Sequence, residues 1–250
     1  MARLGINIDH VATLRNQRDE GYPSVQRAAE ISIASGADQV TIHLREDRRH
    51  IRDDDLHAIK NVTKRLNCLL NLEVGTDYKI AQIAGDLMPD WVCVVPEKRQ
   101  EKTTEGGLDL TNNQIKERVL EICKLIKNKS PQTRISLFIE ASEEIYQSVL
   151  DVNSKVAISA VEIHTGEYAK YYLENKKYDH FIEKFKRFKD LYNSRNIGYH
   201  AGHGLTDMSL SPLVRDDIFD EYNIGHWVIS ESLFYGLGEV VKNLKNIMES

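Results

Sequence analysis

The sequence predicts an α/β protein, a (β/α)8 TIM barrel with extra helices, and three observations carry that prediction. Short apolar runs alternate with amphipathic helical stretches along the whole chain, a pattern that implies parallel strands joined by right-handed crossovers. Eight such units fit into 250 residues, the ordinary size of a closed barrel. Nearly every strand also ends in a titratable or hydrogen-bonding residue, which is where barrel enzymes keep their reactive groups.

The elements follow in order. Leu4–Asp9 reads as an apolar strand that ends in Asp9-His10 and gives way to a charged linker. Pro23-Ser24 opens a helix with Val25, Ala28, Ala29 and Ile33 on one side, and Gly36 closes it. Gln39–Leu44 is the second strand. Asp53–Leu66 is a helix, because Leu56, Ile59, Val62 and Leu66 fall about one turn apart. Leu69–Val74 is a strand carrying Glu73 near its end. Thr76–Leu87 is a helix stopped at Met88-Pro89, and Trp91–Val95 is the fourth strand. A long polar loop runs from Glu97 to Asp109.

Thr111–Lys127 is an amphipathic helix, Arg134–Glu140 a strand, and Ser142–Val149 begins another helix. Ala160–His164 is the sixth strand, with Glu162 and His164 on one face. Tyr168–Ser194 is helical, as one long helix or two. Ile197–Ala201 is the seventh strand and Met208–Arg215 a short helix. The last strand is either Tyr222–Gly225 or Trp227–Ile229. The first choice is preferred because it frees residues 226–235 for a short extra helix. Leu237–Met248 closes the chain as a helix. With no linker or break in composition, the chain reads as one domain over residues 1–250.

Composition narrows the function. The net charge of −5 and a pI of about 6.0 call for neither nucleic acid nor a membrane surface. The opening Met-Ala-Arg-Leu-Gly lacks the apolar stretch of a signal peptide, and no apolar run has the length of a membrane span. Cys68, Cys93 and Cys123 stand at no metal-ligand spacing and read as core residues of a cytoplasmic protein.

The densest chemistry lies in Thr41–His50. His43 sits inside a strand, and three arginines, two carboxylates and a histidine follow from Arg45 to His50. A glutamate so close to a core strand as Glu73 is partly desolvated, which suits it to accept a proton. The alternative is a buried salt bridge. Gly202-His203-Gly204 places a histidine where backbone can approach a ligand closely. Gly225-His226, at the start of the extra helix, forms the complementary phosphate site of a barrel. A second anion site is indicated by Arg18, Arg45, His50 and Thr103. Two anion sites beside His43, Glu73 and His203 imply two phosphorylated substrates or one bisphosphate. No lysine stands at an inward strand end, which disfavours an enzyme-bound Schiff base. No His-x-His ends the first strand, so a metal site is not favoured. A metal-dependent barrel hydrolase and a non-catalytic phosphosugar-binding protein stay open as rivals.

Asn7-Ile8-Asp9-His10-Val11-Ala12-Thr13-Leu14-Arg15, His43–His50 and Asn71-Leu72-Glu73 resemble the pyridoxine 5′-phosphate synthase family. So do Val95–Glu101, Thr103–Asp109, Glu162–Gly166, Ala201–Thr206 and Asn223–His226, in register over essentially the whole chain. The resemblance implies a (β/α)8 barrel with extra helices used in a homo-oligomer, an octamer. It implies condensation of 3-amino-2-oxopropyl phosphate with 1-deoxy-D-xylulose 5-phosphate, releasing phosphate and water, with no metal or organic cofactor. By motif, His43 and Glu73 would be proton acceptors, His203 a proton donor, and Glu162 a stabiliser of the transition state. Asn7, Gly204, Gly225 and His226 would hold the aminoketone phosphate. Asp9, His10, Arg18, Arg45, His50 and Thr103 would hold the deoxyxylulose phosphate. Two departures stand out: His200 where the family pattern has Asn, and Ser230-Glu231 where it has Gly-Arg.

Overall fold

A computed structural model describes residues 2–97 and 106–249. Its strands are β1 (Arg3–Asn7), β2 (Gln39–His43), β3 (Leu69–Val74), β4 (Trp91–Val94), β5 (Arg134–Ile139), β6 (Ala160–His164), β7 (Gly198–Gly202) and β8 (Glu221–Ile224). They close into an all-parallel barrel in sequence order, with β8 pairing back onto β1. Around it lie α1 (Asp9–Asn16), α2 (Val25–Ala34), α3 (Asp53–Arg65), α4 (Tyr78–Leu87), α5 (Asn113–Lys129) and α6 (Glu143–Asn153). The ring is completed by α7 (Gly166–Leu173), α8 (Asp179–Asn193), α9 (Asp207–Arg215), α10 (His226–Tyr235) and α11 (Leu237–Glu249). Side chains of Ser24, Asp77, Asn112, Ser142 and Thr206 accept backbone N–H bonds at the starts of α2, α4, α5, α6 and α9.

The strands are two-faced. One set of alternate residues, including Leu4, Ile6, Val40, Ile42, Leu70, Leu72, Val161 and Ile163, joins the main hydrophobic core against the helices. The other set points into the barrel and carries a network of polar side chains beside the apolar Trp91, Cys93 and Phe138. Bonds between strands that are not neighbours prove the orientation, because only the barrel interior lets them meet. Asn223 on β8 donates from Nδ2 to Glu162 Oε2 on β6 at 2.8 Å. Gln39 on β2 donates to Glu221 Oε1 on β8 at 2.8 Å, and Thr41 on β2 donates to Asn223 Oδ1 at 3.2 Å. The separate apolar cluster of Cys93, Val95 and Phe138 lies on β4, just past its end, and on β5. Barrel interiors are ordinarily filled by branched apolar residues; here a polar column runs from the floor, where Arg3 Nε bonds Glu221 Oε2 at 2.8 Å, up to Glu162.

One sequence expectation needs correction, and two open alternatives are decided, the last strand in favour of the preferred choice. The first strand ends at Asn7, and the stretch read as a charged linker starts with α1. Val11, Ala12 and Arg15 form the buried side of that helix, which the polar residues between them disguise. Tyr168–Ser194 is covered by two helices, α7 and α8, rather than one. Trp227–Ile229 lies within α10, so the strand is Glu221–Ile224 and the short extra helix occupies His226–Tyr235.

Candidate active site

A cavity of about 410 Å³ opens at the C-terminal ends of the strands. Its wall brings together Asn7, Asp9, His10, His43, Arg45 and His50 with Glu73, Glu162, His203, Gly204, Gly225 and His226. Arg18 follows α1 at the exposed surface and is not on this wall. Thr103 lies outside the described residues, as does most of the Glu97–Asp109 loop. Asn223, Val95 and Phe138 line the cavity without having been singled out from the sequence. The signal for Asn223 was the alternation Glu221, Asn223, Gly225, which puts all three on one face of β8.

His43 and Glu73 are partners in the β2–β3 register. His43 Nδ1 stands 3.5 Å from Glu73 Oε2, and its Nε2 stands 3.1 Å from Glu97 Oε1, the latter a close approach without hydrogen-bond alignment. Its backbone N–H donates to Asp9 Oδ1 at 2.9 Å. Burial pushes the Glu73 carboxyl up to about 7, against the opposing pull of Asn7 and Arg45. Burial, then repulsion from Glu73, raises Asp9 to about 7 as well, while His43 opposes the rise. Two carboxyl groups titrating near neutrality around one imidazole are equipped to take and return protons. Asp9, His43 and Glu73 also offer ligand atoms within 4.8 Å of one another, close enough for a metal ion.

Glu162 lies deeper, where burial and the charges of Glu73 and Glu221 raise its pKa well above the usual carboxylate range. Burial thus favours its protonated form, and its Oε2 accepts from Asn223. Glu221 beneath it behaves oppositely. Burial works against its ionisation, but His200 and Arg3 outweigh that effect and hold it at about 2. His200, one of the departures from the family pattern, stands at the barrel floor with Nδ1 3.3 Å from Glu221 Oε1.

The helix that the sequence concealed positions the histidines. Thr13, one turn after His10 on α1, places Oγ1 2.7 Å from His50 Nδ1 and 3.3 Å from His10 Nδ1. Arg15 grips Asp55 with two bonds of 2.6 and 2.9 Å, and Asn16 Nδ2 donates to His50 O at 2.7 Å, so α1 fixes the loop that carries His50. The His10 ring meets those of His50 and His226 edge-on, with centroids 5.4 and 5.0 Å away. The two anion groups inferred from sequence therefore adjoin at His10. Burial and the neighbouring His226 lower His10; burial and His10 take His50 down to about 4; burial and His164 take His203 down to about 4. Burial thus favours the neutral form of all three rings.

A closed parallel barrel with carboxylates and histidines converging at its C-terminal mouth defines an enzyme of the (β/α)8 class. The family model described as pyridoxal phosphate biosynthesis protein PdxJ matches residues 4–250, and the chain belongs to that family. It is 42% identical over 246 residues to the pyridoxine 5′-phosphate synthase of Sulfurihydrogenibium sp., covering 98% of this chain and 97% of that one. It is likewise 42% identical over 248 residues to the enzyme of the same name from Neisseria meningitidis, covering 98% and 96%. Among solved structures, the thiamine phosphate pyrophosphorylase of Pyrococcus furiosus superposes with a TM-score of 0.59 at 11% identity, covering 99% of this chain and 95% of that one. Phosphoribosylanthranilate isomerase from Thermotoga maritima gives 0.58 at 13%, covering 100% and 99%. These two likenesses concern the fold alone.

Proposed function

We propose that the chain is a pyridoxine 5′-phosphate synthase that condenses 3-amino-2-oxopropyl phosphate with 1-deoxy-D-xylulose 5-phosphate, releasing phosphate and water. The observation that carries the mechanism is the convergence of His43, Glu73, Glu162 and His203 on one cavity whose rim also holds His10, His50 and His226. The substrate amine attacks the ketone of the other substrate and water leaves, so no enzyme lysine is needed. The remaining steps are proton shifts, phosphate loss, ring closure and dehydration. Glu73 and His43 take protons, His203 returns one, and Glu162, whose burial favours the protonated form, donates a hydrogen bond to developing negative charge.

Asn7, Gly204, Gly225 and His226 hold the aminoketone phosphate, with the N-terminus of α10 directed at it. Asp9, His10, Arg45 and His50 hold the deoxyxylulose phosphate; the family resemblance assigns Arg18 and Thr103 to the same phosphate, although Arg18 stands off the cavity wall in this structure. Anion binding beside His10, His50 and His203 raises their proton affinity and so readies His203 to donate. The whole chain works as one barrel domain, in the cytoplasm and as a homo-oligomer, an octamer by family resemblance. Exposed Leu233, Phe234 and Tyr235 at the end of α10 support an assembly surface. No described helix is long and apolar enough to cross a membrane.

Mixing the purified protein with both substrates and following phosphate release together with pyridine absorbance tests the assignment; absence of turnover overturns it. The Asp9–His43–Glu73 group supports one other reading, a metal-dependent barrel hydrolase. Activity that survives exhaustive chelation removes that rival.

A further inference from the structure

Beside His203 stands a ring–carboxylate pair that the proposed acid–base steps do not use. The Nδ1–H of His164, the last residue of β6, donates to Oε1 of Glu140 at 2.7 Å, just past the end of β5. The backbone N–H of Gly107 donates to the same oxygen at 3.2 Å. The His164 ring then packs between two others. Phe138 meets it edge-on at 5.6 Å, and His203 lies tilted against it at 4.9 Å. The two imidazoles meet over Gly166, where a Cβ would come within 2.7 Å of His164 Nε2 and 2.9 Å of His203 Cδ2.

The next residue completes the clamp. Thr165 Oγ1 shares its proton between Gly202 O and His203 O at 2.9 and 2.8 Å, and its N–H donates to Gly202 O at 2.9 Å. His203 needs such support. Its φ is +75°, followed by Gly204 at +81°, and a non-glycine residue in the left-handed region is strained.

We propose that Glu140 and His164 are a positioning pair for the known family reaction, with Glu140 fixing the tautomer and plane of His164 and His164 holding the His203 ring against the cavity. The proposal rests on the reading of His203 as proton donor. It places a carboxylate, a supporting imidazole and a reacting imidazole in series, the arrangement by which a third group orients an acid–base residue. The charged and titratable groups facing His203 are His164 on β6, Glu140 after β5 and His226 on α10. Of these, Glu140 favours protonation of His203 while His164 and His226 oppose it.

The test combines NMR titration of the ¹⁵N-labelled His203 ring with steady-state kinetics on wild type, E140Q, E140D and H164N. Gln keeps the acceptor for His164 and Gly107 but removes the charge, so E140Q lowers the His203 midpoint, and E140D restores it in part. H164N removes the facing imidazole and raises the midpoint. Both E140Q and H164N lower kcat by roughly 10- to 100-fold, with KM little changed, as expected for a misplaced reacting group. A His203 titration that stays at the wild-type position in both variants overturns the proposal. If wild type itself shows no turnover, the functional reading fails, and the NMR titration still decides whether the pair acts on His203.

Discussion

Gly202 lies against the carboxylate of Glu162 so closely that a Cβ at Gly202 would stand 2.0 Å from Oε1 and 2.8 Å from Cδ. The contact crosses from β7 to β6, whose register pairs Glu162 with His200 and His164 with Gly202. Gly5 stands in the same relation to Asn223, where a Cβ would reach Oδ1 at 1.9 Å. Two missing side chains on the inner face therefore make the space that lets two long polar ones reach the axis.

Gly202→Ala accordingly displaces Glu162 while leaving the outer core untouched. The expected result is a loss of about 10²-fold or more in kcat. The far-UV circular dichroism spectrum stays that of the wild type. Full activity in G202A would show that the position of Glu162 does not matter.

Glu73→Gln abolishes ring formation but leaves binding of a phosphate-bearing ligand largely intact, with a loss in kcat of about 10²–10⁴-fold. The same change stabilises the protein at alkaline pH. The folded-state pKa of Glu73 is raised from 4.5 to about 7, so its contribution to stability is full below the unfolded value and is lost as pH climbs through about 7. Removing the carboxyl removes that loss, for a gain on the order of 3 kcal/mol at pH 8. Urea unfolding of wild type and E73Q across pH measures it, and equal pH dependence would refute the desolvation of Glu73.

The acid limb of the rate should bear the same signature. Asp9 and Glu73 both titrate near 7, so kcat/KM rises with pH through that region as the bases become free. The limb belongs to the pair and not to either residue alone. Replacing Asp9 by Asn removes one neighbouring charge and moves the limb to lower pH; a limb that stays in place in D9N would show that the two carboxyls do not communicate.

Anion binding takes up protons. At pH 6 the rings of His50 and His203, at about 4, are neutral in the free protein, and a bound dianion raises their proton affinity. Calorimetric titration with sulfate, which does not itself titrate there, in buffers of different ionisation enthalpy should report uptake of the order of one proton. A heat independent of the buffer would mean that the histidines bind the anion uncharged.

Much of the architecture was legible because strands and helices announce themselves by period. The ends of β2, β3, β6 and β7 could be read directly, and with them His43, Glu73, Glu162 and His203. What escaped was whatever depends on contact across the barrel. The approach of Glu97 to His43 skips over β3, and Asn223 matters because it touches Glu162 two strands away. Helix α1 escaped because its buried side includes an arginine satisfied by Asp55, a partner 40 residues distant. Arg18 is the converse case. It closely follows the family-like run Asn7–Arg15 in sequence, yet the helix ends at Asn16 and Arg18 is exposed.

The polar column inside the barrel separates two kinds of duty. Cohesion resides in the annulus between the outer faces of the strands and the helices, while the axis is occupied by side chains that satisfy one another through hydrogen bonds. Exchanges on the axis can thus alter reactivity, one strand end at a time, without dismantling the scaffold. Diversity is therefore best placed at the mouth-facing inward positions of β2, β3, β6 and β8, exchanging hydrogen-bonded partners on the axis together so that no buried polar group is left unpaired.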